Sequence, residues 1–103
     1  MLKGSQKKYL KALAHSLKPV VFIGQKGLTP TLAKAMDDAL DAHELIKVRF
    51  IDFKEKDHKN ALTKEIEKNH GCSKVSMVGH IVTFYRKHKD PKKRKIVLEE
   101  GTV

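Results

Sequence analysis

The chain has 103 residues, enough for one modest core without disulfides or metals. Lys and Arg number 22 against 12 Asp and Glu, a net charge of +10 that favours polyanionic partners. No stretch approaches the roughly 18 consecutive apolar residues of a membrane span, and the start lacks the apolar core of a signal peptide. Cys72 stands alone and cannot form an internal disulfide, which fits a reducing, cytoplasmic setting.

The excess charge is concentrated. Residues 1–18 carry Lys3, Lys7, Lys8, Lys11 and Lys18 with no acid, +5, and residues 86–95 (RKHKDPKKRK) carry +6, which leaves a net −1 for the rest. Two basic segments on a nearly neutral body are the footprint of a binding surface for nucleic acid. For residues 87–95 the alternative is a solvated, mobile run, since Asp90-Pro91 breaks regular structure.

In chain order, Leu10, Leu13, Ala14 and Leu17 recur at helical spacing and predict a first helix near residues 5–16, with Ser5 as N-cap. Lys7, Lys8, Lys11 and His15 occupy the adjoining arc, so one flank of that helix is a basic stripe. Pro19 ends it. Val20 to Ile23, apolar throughout, predict a strand covered on both faces.

Gly24-Gln25-Lys26-Gly27 follows, and Thr29 then caps a second helix with Pro30 in its first turn. The glycines permit a sharp turn and close approach, and the N–H groups and positive dipole end of the helix make a seat for an anion. Gln25 and Lys26 suit a sugar-phosphate backbone better than base edges. The spacing excludes a P-loop and a dinucleotide fingerprint; the nearest analogue is the backbone-clamping Gly-x-x-Gly loop of KH domains.

Leu32, Ala35, Met36, Ala39 and Leu40 form the apolar stripe of the second helix, with Asp37, Asp38 and Asp41 on a solvated side. Leu45 to Phe53 alternates as a half-exposed strand, with Ile46, Val48 and Phe50 inward and Lys47 and Arg49 outward. A third helix near Asp57 to His70 buries Ala61, Leu62 and Ile66 and stops at Gly71. Lys74 to Val78 and Ile81 to Arg86 form a hairpin around Gly79-His80, and Ile96 to Leu98 add a short final strand. Alternation puts Phe84 with Val82 and Tyr85 with Ile81 on opposite faces; core is the expected place for each, and an accessible ring for base stacking is the alternative. The fold class is α/β, a single-domain sandwich over residues 1–103 of order α-β-α-β-α-β-β, with right-handed crossovers for the first two strand connections.

The run LAHSLKPVVFIGQKGLTPTL, then ALDAHELIKVRF, a third helix and VGHIVTFYR, resembles YhbY-type proteins, stand-alone bacterial versions of the CRM domain (chloroplast RNA splicing and ribosome maturation). The resemblance spans about Gln6 to Leu98. It implies an RNA-binding domain with a four-stranded mixed sheet and helices, similar to the C-terminal domain of translation initiation factor three. It also implies association with precursors of the large ribosomal subunit. Many relatives carry two basic residues between the loop glycines; this loop carries one, Lys26.

The histidines, His15, His43, His58, His70, His80 and His88, form no His-x-x-x-His pair, and no nucleophile elbow or other catalytic signature appears. No metal, cofactor, small-molecule substrate or catalysis is therefore expected. The expected RNA-binding set is Gly24, Gln25, Lys26, Gly27 and Thr29 from the loop, Lys7, Lys8, Lys11 and Lys18 from the first helix and its exit, Arg49, and Arg86 with Lys87. The resemblance implies ribosomal RNA as the partner, expected to be read by shape and phosphates, and a cytoplasmic monomer is expected. Two competing readings are a protein adaptor using Asp37, Asp38 and Asp41, and a general DNA binder.

Overall fold

The computed structural model describes residues 2–51 and 55–98. The elements run α1 (Gly4–Ala14), β1 (Val21–Ile23), α2 (Pro30–His43), β2 (Leu45–Phe50), α3 (Lys56–His70), β3 (Ser73–Val78) and β4 (Ile81–Tyr85), then a single 3-10 turn at Pro91–Lys93. The four strands form one mixed sheet of order β1-β2-β4-β3. β1 lies parallel to β2, with Val21 beside Val48 and Phe22 beside Arg49, and both other pairings are antiparallel.

Alternation along the strands sends side chains to two different cores. On one face Val21, Ile23, Ile46, Val48, Phe50, Val82 and Phe84 meet Met36 and Leu40 of α2 and Leu62 and Ile66 of α3. On the other, Leu45, Val75 and Tyr85 meet Leu10 and Ala14 of α1. A register shift between Lys74 and Ser76 gives Val75 its place in this second core. Local chemistry sets the helix ends as expected: Thr29 Oγ1 accepts from Leu32 N at 3.2 Å, Pro30 opens α2, and Gly71 closes α3 at φ +59°.

Several details differ from expectation. Ser5 lies inside α1; the N-cap is Lys3, whose N–H donates to Gln6 Oε1 at 2.8 Å. Leu13, Ala35 and Ala61 are exposed rather than buried, because each helix rests only a narrow stripe on the sheet, and Leu17 is exposed beyond the end of α1. β1 is a sheet edge covered on one face, leaving Val20 and Phe22 each 49% exposed. Phe84 and Tyr85, by contrast, are both buried as expected, one in each core, so neither offers a ring to a partner. Ile96 and Leu98 pack on the α1 core as irregular chain and form no strand. β2 ends at Phe50, one residue before Ile51, and the rest of its expected continuation to Phe53 lies outside the described residues.

Candidate nucleic-acid interface

β1 ends at Ile23 and the chain turns at once: Gly27 N donates to Gly24 O at 3.0 Å, closing a four-residue turn with Gln25 and Lys26 exposed at its tip. The two glycines do different things. Gly27 has φ +72°, and a Cβ there would meet only Leu62 Cδ1 at 4.0 Å, so backbone conformation rather than space selects glycine. Gly24 has no such φ and open space where its Cβ would be. Among the described residues nothing requires residue 24 to be glycine, so the bare backbone there is open to a partner. The helix end behind the loop is less open than expected: Pro30 has no N–H, and Thr29 Oγ1 already takes the N–H of Leu32.

The sheet face that carries α1 is half covered. α1 seals the end with Leu45, Tyr85 and Val75, while Phe22, Arg49, Ile51, Ile81 and Val78 lie at the other end with no helix over them among the described residues. The basic flank of α1 borders this bare half, since Lys11 and His15 share a hollow of about 240 Å³ with Lys47, Val78 and Ile81. Lys7 stands one turn before Lys11 on the same flank, and Lys8 is at its outer margin. Arg49 is two residues beyond Lys47 on the same face and beside Phe22, which leads into Gly24. Lys7, Lys11, Lys47, Arg49 and the loop thus border one surface. Lys47 was placed outward by alternation but not counted in the expected set.

The CRS1/YhbY (CRM) domain pattern matches residues 2–86, which contain this whole surface. The chain belongs to the CRM domain family. It is 36% identical over 91 residues to a Haemophilus influenzae protein named RNA-binding protein, covering 88% of this chain and 91% of that one. It is 34% identical over 92 residues to the Bacillus subtilis protein named probable RNA-binding protein YqeI, covering 89% and 95%. The solution structure of Staphylococcus aureus SAV1595 superposes with a TM-score of 0.77 at 33% identity, over 94% of this chain and all of that one.

The remaining expected contacts of this CRM chain lie elsewhere. Arg86 follows β4 at the Leu45 end of the sheet, roughly 17 Å of strand from the loop end. Its Nη1 donates to Asp37 Oδ1 at 2.8 Å and His70 O at 2.9 Å, and its Nη2 to Asp37 O at 3.1 Å and Asp41 Oδ1 at 2.9 Å. Arg86 is therefore a clamp between α2 and α3, a correction to its expected role. The acidic side of α2 is corrected with it: Asp37 and Asp41 hold Arg86, and Asp38 pairs with Lys34 at 3.0 Å. Burial pushes the Asp37 carboxyl up, but the bonds from His70 and Arg86 outweigh it and hold the group below its usual range. Lys18 lines a separate groove with Leu17, Val20, His43 and Lys95 at the Leu45 end, and exposed Lys87 follows Arg86 there.

The segment after Arg86 is tethered by Glu44, which sequence reasoning missed. This residue is fully buried at the end of α2 with φ +61°, and its carboxylate accepts from His88 N, Lys95 N and Ile96 N at 2.8, 2.5 and 3.0 Å. Burial raises its pKa, and these donors overcome that and lower it. His70 likewise has an orienting acid that the sequence did not supply: its Nδ1–H donates to Asp37 at 2.8 Å. Burial and the charge of Glu67 push the neighbouring Cys72 thiol up to about 12. Among the described residues no His, Cys, Asp and Glu cluster could hold a metal, and no helix is long and apolar enough to cross a membrane.

Proposed function

We propose that this CRM chain is a non-enzymatic RNA-binding protein that docks structured RNA with the Gly24–Gly27 tip and the basic track from Lys7 to Arg49. The observation that carries this is Gly24: a glycine that no contact or backbone angle among the described residues requires, beside exposed Lys26 and next to a face edged by cations. Phosphates are the fitting ligand. The backbone of the turn approaches them without Cβ interference, and Lys26, Arg49, Lys47 and Lys11 neutralise their charge. Relatives named for RNA binding support the choice of RNA over DNA. Family resemblance favours ribosomal RNA in precursors of the large subunit, with the protein acting in the cytoplasm as a monomer. The adaptor reading is less favoured, since two of its three acids hold Arg86 and the third is paired with Lys34.

The test is the double substitution Lys8→Glu with Lys26→Glu, assayed against a ribosomal RNA fragment with folding checked by circular dichroism. Binding should weaken at least tenfold while the spectrum stays native. Unchanged affinity in a folded double variant contradicts the assignment.

A further inference from the structure

The bare half of the sheet carries an aromatic ring that the phosphate track does not use. Phe22 is 49% exposed between Val21 at 4% and Ile23 at 0%, because β1 is buried on one face only. Its strand partner is Arg49, and the two share with Ile51 and His80 a hollow of about 320 Å³. Among the described residues that line this hollow there is no carboxylate. Two residues further on is Gly24, so along the strand the ring stands about 7 Å from the turn.

An open ring on a rigid strand beside a guanidinium offers π-stacking and a nearby cation to a planar, electron-rich group. The Arg49 guanidinium at the hollow's edge and the hollow's continuity with the loop fit a nucleobase better than an apolar peptide. The bases of a continuous duplex are stacked inside it and cannot reach the ring. The geometry points to a nucleobase-stacking site on Phe22, beside Arg49, that takes an unpaired nucleotide adjoining the RNA helix held by the loop and α1. The site rests on the RNA reading above and adds a ligand class: duplex interrupted by a bulged or unpaired base rather than continuous duplex. Because every base has a π-face, the site selects for unpairedness more than for sequence.

The experiment compares a blunt RNA duplex with the same duplex carrying one bulged 2-aminopurine, whose fluorescence falls on stacking. The wild-type protein should bind the bulged duplex roughly 5- to 100-fold tighter and quench the probe, in line with the effect of one base-aromatic stack. Phe22→Ala and Phe22→Leu should both lose that preference and the quenching while keeping wild-type affinity for the blunt duplex. Phe22→Leu retains apolar volume, so its loss reports the ring and not the fold. Equal binding of the two duplexes by the wild type, or Phe22 variants indistinguishable from it, overturns the site; the second result is also what occupancy by a peptide would give. Lys8→Glu with Lys26→Glu should weaken both duplexes alike. If that variant has no effect while Phe22 still sets the preference, the loop assignment fails and the stacking site stands.

Discussion

Replacing Glu44 by Gln tests how the basic segment after β4 is held. In the wild type one buried carboxylate accepts three backbone N–H groups, two on Oε1 and one on Oε2. Gln keeps an oxygen for Lys95 N and Ile96 N but turns an NH2 toward His88 N. Two charge-assisted bonds become neutral and one donor is left facing a donor. With about 1 kcal/mol lost per weakened bond and about 2 kcal/mol for the orphaned donor, offset in part by relief of a buried charge, the net cost is about 3 kcal/mol. For a domain of this size that lowers Tm by about 14 °C near neutral pH. Thermal unfolding by circular dichroism measures it, and amide exchange at His88, Lys95 and Ile96 should rise in the variant. The Glu44 carboxyl is lowered from its ordinary 4.5, so its stabilisation is complete above about that pH and lost as the pH falls through the folded value. Wild type and variant should therefore converge in acid. A Tm within about 3 °C of wild type near neutrality, or a gap that persists in acid, refutes the reasoning.

Arg86→Gln should cost about 3 kcal/mol in denaturant unfolding, since it empties a site with two carboxylates, yet leave the RNA affinity of the folded protein within about twofold. Gly27→Ala should lose about 1 kcal/mol from its positive φ, while Gly24→Ala should leave the unfolding midpoint unchanged and weaken RNA binding. Cys72, its thiol at about 12, should resist iodoacetamide in the native protein at mildly alkaline pH and react on unfolding, as mass spectrometry would show.

The elements written in local chemistry were legible in the sequence. Thr29-Pro30 places the start of α2, Gly71 the end of α3 and Gly79-His80 the hairpin, because each acts through its own backbone. What escaped depends on partners far along the chain. Val20 to Ile23 is apolar at every position, so it carries no sign of which face is open, and the exposure of Phe22 follows only from which face of β1 the helices cover. Arg86 looks like one more cation of a basic run until α2 brings Asp37 and Asp41 to it, 49 and 45 residues away in sequence. Glu44 looks like a polar residue at a helix end; its three donors come from the chain beyond β4. The candidate interface was half legible: alternation set Lys47 and Arg49 outward and helical spacing gave the α1 flank, but only the sheet order shows that these border one face and that the final basic segment does not.

The salt dependence of RNA binding tests the central claim most directly. Each phosphate neutralised contributes roughly −0.7 to −0.9 to the slope of log affinity against log salt. Lys26→Ala and Lys11→Ala should each flatten the wild-type slope by about one contact, and the double variant by about two, whereas Lys87→Ala should leave it unchanged. Equal slopes for wild type and the Lys26 and Lys11 variants, or flattening by Lys87→Ala alone, would contradict a single phosphate track running from α1 to the glycine turn.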